Sequence, residues 1–453
     1  MDSFLNLNQG NSFYSRATQG QPRNSSHWHR PPNQGEWNST EYDQDAYQPG
    51  QRGYEAGCCR CAPPQQHNGP DPGMMFLFLQ MMMSGTNPAA AFFMMGFMAG
   101  SRPPLPMGPP APPPPPPRHS GYAERYEPNA TVAVFDNFRD TANRTTHGEQ
   151  VENIMVQQGL TDRDIQRFHS GEGGIDPRPL RQASNPGQFH HALNGYIERS
   201  STGLLSATSN NMETILDDPN SQIQVINQSQ GISGADVTQR LMSMAGEDPQ
   251  LKARLMQDLG LPPGASKRQF VEALANRVQS VSENSPAVQA ETQRYEELSA
   301  EADARGINHV VASGNNGQVA SMMRNLGIEM DPSFYGNALH NEHTTSVGAL
   351  NEQGTGPASF SAPEAEIATQ GQGVLTTADG QVDFINGTSF AAPQVAAQMA
   401  LMRRRNPSLS DEEAEEVLTA TANPVAGDPT QAGAGAMDPR QAQWLAHLSG
   451  QVY

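Results

Sequence analysis

The stretch from Pro103 to Pro117 is built almost entirely of proline, with only Leu105, Met107, Gly108 and Ala111 between. Proline fixes φ and removes the backbone donor, so such a run forms an extended polyproline II spacer and cannot enter a core. The chain of 453 residues is therefore divided, and any folded body lies on one side. Residues 1–73 are rich in Asn, Gln, Ser and Gly, with scattered Tyr and Trp and neither a helical nor an alternating period, and read as a disordered polar tail. From 74 to 101 the chain is Met/Phe-rich and uncharged, but Ser84-Gly85-Thr86-Asn87-Pro88 splits it into two short halves. Two halves of about ten residues suit a membrane contact or a docking surface for export machinery better than a spanning helix. Residues 102–127 form a Pro-rich linker, which leaves 128–453 for the folded domain.

Charge and cysteine narrow the function class. The formal net charge is −19, and residues 1–118 carry seven Arg and seven Asp or Glu, so the acidic excess belongs to the folded part. That excess argues against nucleic acid as a partner, because phosphate recognition needs a basic footprint. Cys58, Cys59 and Cys61 all precede the linker, so no disulfide is expected in the domain. With His67 they could hold a metal, or they could carry a lipid, but their spacing fits zinc templates poorly. Residues 1–9 lack a basic segment followed by an apolar run, so a cleavable signal is not expected. Two locations fit: the cytoplasm of a bacterial-type cell, or export by a route independent of a signal peptide.

Past residue 128 the texture changes. Thr131–Phe135 is a short apolar, β-branched run that delivers Asp136 at its end; Ile223–Asn227, Asn308–Ala312 and Thr344–Ala349 read as further strands. Between 235 and 305 Leu241, Met244, Leu251, Leu255 and Leu259 recur near helical spacing, interrupted at Pro262-Pro263-Gly264. Strands alternating with helices predict an α/β fold, a mostly parallel sheet with helices on both faces and a ligand site beyond the strands' carboxyl ends.

The chemistry gathers in Asn386-Gly387-Thr388-Ser389-Phe390-Ala391-Ala392-Pro393-Gln394-Val395. Ser389 sits among small residues at the expected start of a helix, where free N–H groups and the helix dipole favour developing negative charge. The run resembles the nucleophile signature of the subtilisin-like serine proteases. Three further stretches resemble that family's motifs in its order of Asp, His and Ser: Val-Ala-Val-Phe-Asp136-Asn, Thr-His147-Gly-Glu-Gln-Val, and Val310-Val311-Ala312-Ser313-Gly314-Asn315-Asn316-Gly317. The resemblance covers about residues 128–447 and implies a subtilisin-like three-layer fold with a helical insertion near 235–305.

It also implies roles. Ser389 is the nucleophile, His147 the base, Asp136 the orienting carboxylate and Asn315 a donor to the oxyanion. Ser229, Gln230 and Gly231, with Ser313 and Gly314, border the substrate, a protein or peptide that pairs as an added strand. No cofactor is needed; the family makes calcium conceivable, but no site and no metal ligand can be assigned. Several features depart from the pattern. Asn137-Phe138 follow the aspartate where a small residue and glycine are usual, Gly148-Glu149 replaces Gly-Thr, and the Asp136–His147 interval is short. A second reading is therefore a non-catalytic relative that binds peptide or a partner; a third makes the 74–101 segment a membrane adaptor carrying a passenger domain.

Overall fold

A computed structural model describes residues 127–139, 145–171, 175–378 and 381–450; the tail, the apolar segment, the cysteines and the proline run lie outside these residues. The main sheet has six strands: β1 (Val132–Asp136), β2 (Ile165–His169), β3 (Val225–Gln228), β4 (Asn308–Ala312), β5 (Thr345–Leu350) and β6 (Ile367–Gln370). Their spatial order is β2-β1-β3-β4-β5-β6, with every neighbouring pair parallel. The α/β reading with a parallel sheet therefore holds, and the strands anticipated from apolar runs are present to within two residues at each end. The sequence reading did not name β2, β6 or the antiparallel hairpin β7 (Val374–Ala378) and β8 (Gln381–Ile385).

β1 shows why a continuous apolar run becomes a central strand. Val132 and Val134 face a core shared with helix α1 (His147–Gln158) and helix α9 (Ala392–Arg405). Ala133 and Phe135 face the opposite core, with Leu205 and Met212 of α3 (Pro186–Leu216) and Tyr295 and Ala302 of α7 (Pro286–Ala304). Successive side chains alternate between faces, and both faces are covered, so no polar position is left in the run before Asp136. The short helix α2 (Arg178–Gln182) leads into α3, a 31-residue helix that the sequence reading did not name.

Between β3 and β4 the chain forms α4 (Gly234–Glu247), α5 (Pro249–Asp258), α6 (Lys267–Asn284) and α7. Leu241, Leu251, Leu255, Phe270 and Leu274 from this group bury against Leu193 and Ile197 of α3 in a core of their own. After β4 come α8 (Gly317–Asn325) and β5; the C-terminal part adds α10 (Asp411–Ala420) and α11 (Pro439–Ser449). Helix α9 is buried along nearly its whole length, which its Ala-rich composition permits by letting the backbone approach the sheet closely. It begins at Ala392, whereas Ser389 lies in the 3-10 turn Thr388–Phe390 just before it.

Candidate active site

The carboxyl ends of β1 to β4 open into one cleft of about 810 Å³. Its lining includes Asn137 after β1, Ser170 after β2, Gln230 after β3, Asn315 after β4, and both His147 and Ser389. Parallel strands put their C-terminal loops on one side, so residues far apart in sequence meet there.

Asp136, the last residue of β1, is fully buried. Its Oδ1 accepts from the Asn137 N–H at 2.6 Å and lies 2.7 Å from His147 Nδ1. A carboxylate at that distance selects the tautomer protonated on Nδ1 and leaves the Nε2 lone pair available. Burial lowers the imidazole pKa, but the Asp136 charge and hydrogen bond raise it by more, so it lies above the ordinary 6.5. His147 keeps 27% of its side chain exposed, and the Phe390 ring lies 5.2 Å away between centroids. His147 and Ser389 line the same cleft with no hydrogen bond between them; such contacts are often long in unliganded sites.

Local structure places the imidazole. His147 is the first residue of α1, whose N-cap Thr146 and Glu149 form a reciprocal capping box, with Glu149 accepting from the Thr146 N–H at 2.9 Å. Glu149, where the family pattern has threonine, thus fastens the helix end that carries the imidazole. Phe138 lies over Gly148, where a Cβ would come within 2.6 Å of the ring. Arg167 stacks on Phe138 at 5.1 Å and forms a buried ion pair with Glu152 of α1. Of the departures from the pattern, Asn137, Phe138 and Gly148 thus form one contact between the loop after β1 and the start of α1, while Glu149 closes the helix end itself.

On the other wall, Asn315 Oδ1 accepts from the Thr388 N–H at 3.0 Å and the Thr388 hydroxyl at 3.1 Å. Its Nδ2 has no hydrogen-bond partner among the described residues, so the amide group is available in the cleft. Thr388 Oγ1 also accepts from the Gly314 N–H at 3.2 Å. Gly314 has φ +109°, a conformation that favours glycine, so the chain can turn from β4 into Asn315. The sequence motif alone assigns Thr388 no role, because its partners lie 73 and 74 residues away.

The residues named for substrate contact are placed unequally. Ser229, Gln230, Gly231 and Gly314 line the cleft, whereas Ser313 is fully buried and is not among the lining residues. The Ser229 hydroxyl accepts from Asn227 Nδ2 at 2.9 Å, and the Gln230 amide is held by Ser170 and by the Gly171 carbonyl at 3.3 Å. Their side chains are thus held within the protein, and the backbone is what this segment offers to a substrate. Three contributors had no distinct sequence signal: Asn337, and the faces of α3 and α4 that bring Tyr196, Arg199, Arg240 and Met244 into the cleft. Among the described residues no cluster of His, Cys, Asp or Glu gathers to hold a metal ion.

The model of the subtilase family matches residues 191–437, a span that contains Asn315 and Ser389 and stops short of Asp136 and His147. Alkaline elastase YaB of Bacillus sp. (strain YaB) is 34% identical over 170 residues, 37% of this chain and 41% of that protein. An alkaline protease of Alkalihalobacillus alcalophilus is 27% identical over 287 residues, 62% of this chain and 61% of that protein. The chain thus spans less than two thirds of these relatives' length. Among solved structures, MycP1 from Mycobacterium smegmatis is 21% identical with a TM-score of 0.37, covering 69% of this chain and 79% of that one.

Proposed function

This chain belongs to the subtilase family, and from that premise we propose that it is a serine-type endopeptidase acting on protein or peptide substrates. The observation that carries the reading is the Asp136–His147 pair at 2.7 Å, opening into the same cleft as Ser389 and Asn315. Ser389 Oγ attacks the scissile carbonyl carbon while His147 Nε2 takes the hydroxyl proton. Asp136 keeps Nδ1 protonated and stabilises the imidazolium that forms. Negative charge on the carbonyl oxygen is met by Asn315 Nδ2 and the Ser389 N–H. Collapse expels the amine, which receives the proton from His147, and leaves an acyl ester on Ser389. Water then attacks the ester with His147 again as base, releasing the acid and restoring the serine. These steps use no cofactor. The preformed carboxylate–imidazole pair favours hydrolysis over a role confined to peptide binding.

The test is covalent labelling of the full chain with a fluorophosphonate, which reacts only with an activated serine. Wild type should label and both Ser389→Ala and His147→Ala should not. The rate should rise with pH to a half-maximum above 6.5, because the reacting imidazole must be neutral and its pKa is raised. A folded wild-type chain that stays unlabelled across that range would sink the proposal.

A further inference from the structure

The cleft has a floor that the reaction itself does not use. β3 and β4 pair in register through Gln228 and Val311; beyond that, Gln230–Ile232 on one side and Ala312 and Gly314 on the other flank a slot next to Asn315. Asn337 enters this slot from the loop after the 3-10 turn Pro332–Phe334. Its Nδ2 donates to the Ala312 carbonyl at 2.7 Å and the Gln230 carbonyl at 3.4 Å, and its Oδ1 accepts from the N–H groups of Ile232 at 3.3 Å and Leu339 at 3.1 Å. The carboxamide therefore ties the two strand ends together and uses both donors and both acceptor positions. It is 5% exposed, and a Cβ on Gly231 would come within 2.7 Å of its Nδ2. Swinging it aside would leave the Gln230 carbonyl and the Ile232 N–H after β3, and the Ala312 carbonyl at the end of β4, without these bonds, so the plug is fixed.

We propose that Asn337 is the specificity-determining residue of this cleft. It closes the pocket that receives the side chain on the acyl side of the scissile bond, so that the chain cuts after small residues such as Gly, Ala or Ser. The inference rests on the peptidase reading. A carbonyl lying between Ser389 and Asn315 places its own residue beside Gly314, with the side chain entering the slot between the strand ends. There it meets the Asn337 amide instead of an open pocket. A larger side chain would have to displace a group with four hydrogen bonds, and a single methylene too many already discriminates by roughly tenfold or more.

The experiment uses the full chain and peptide anilides that differ only in the residue before the anilide: Ala, Leu, Phe, Glu and Arg. The expected result is a kcat/KM for Ala at least roughly tenfold above that for Phe, with Asn337→Gly raising the Phe-to-Ala ratio by a similar factor. Fluorophosphonate labelling runs alongside. A labelled wild type that prefers Phe or Leu overturns the inference and leaves the peptidase standing; a wild type that does not label overturns both. A folded Asn337→Gly chain that keeps the wild-type ratio also overturns it. Should that variant fail to fold, the wild-type profile decides alone.

Discussion

The Oδ1 of Asn315 receives two hydrogen bonds from Thr388, and the Thr388 hydroxyl receives one from Gly314. One fully buried side chain thus sets both the direction of the Asn315 amide and the turn that carries it. A β-branched residue with a hydroxyl suits this place because its χ1 is stiff and its oxygen both donates and accepts. Thr388→Val keeps the shape and removes the oxygen. We expect kcat to fall by about tenfold with KM nearly unchanged, less than the roughly 10²–10³-fold seen when a whole oxyanion donor is removed, a magnitude that comes from subtilisin. Thr388→Ser should recover most of the rate. Steady-state kinetics on a small-residue anilide would check this, and a Thr388→Val enzyme with wild-type kcat would remove Thr388 from the positioning of Asn315.

Helix α1 is held at its first turn, and that turn holds the imidazole. Thr146 accepts from the Glu149 N–H at 3.2 Å while Glu149 accepts from the Thr146 N–H, and the Gly148 N–H donates to the Asn137 carbonyl at 3.0 Å. Removing an N-cap hydroxyl typically costs about 1 kcal/mol. Thr146→Ala should therefore lower the melting temperature by a few degrees and slow serine labelling, since the frayed residue is the one next to His147. Thr146→Ser should restore both. Melting and labelling measured together separate a cap from a bystander: a variant as stable and as reactive as wild type would show that β1 packing alone fixes the helix end.

At the scale of the whole molecule, one buried and one half-buried titratable group act on stability from opposite ends of the pH range. His309 of β4 lies between the rings of Phe135 and Tyr295, at 6.4 and 6.0 Å, with neither ring nitrogen bonded among the described residues. Burial pushes its pKa down to about 3. As pH falls below 6.5 the unfolded chain takes a proton that the folded one refuses, so stability declines from there toward pH 3. Glu366, near β6, is pushed up to about 7 by burial, against the bond it accepts from the Ser346 N–H at 2.8 Å, with Glu415 adding to the rise. Its stabilising share is complete below 4.5 and is lost as pH rises through about 7. His309→Phe should thus raise the melting temperature most at pH 4 to 5, and Glu366→Gln should raise it at pH 8 and not at pH 4. Thermal unfolding of both variants at the two pH values tests the crossed pattern, and a gain that ignores pH would refute it.

The legible part of this chain is the part whose cause is local. Apolar, β-branched runs such as Val132–Phe135 and Val310–Ala312 name buried parallel strands, because a strand covered on both faces has nowhere for a polar residue. The Gly387-Thr388-Ser389 run resembles a known motif because its small residues are neighbours in sequence. What tertiary structure decided is what depends on distant partners. Gly433, at φ +56°, would put a Cβ 2.1 Å from the Glu366 backbone, a close approach that Gly-Ala spacing alone does not reveal. The length of α3 is hidden because its buried residues are scattered among Ser, Asn and Thr that blur the period, and because they serve two cores, Leu193 and Ile197 with α4, α5 and α6 and Leu205 and Met212 with β1 and α7. Ser313 shares its motif with Asn315 yet is buried outside the cleft lining. Asn337 stands in an ordinary Tyr-Gly-Asn-Ala stretch; Leu339 of its own loop supplies one partner, and only the juxtaposition of the ends of β3 and β4 gives its carboxamide the other three. Sequence supplied β1, β3, β4, β5 and the candidate site residues by their own chemistry; the shape between them came from contacts about a hundred residues apart, such as Gln230 with Asn337, which no local pattern encodes.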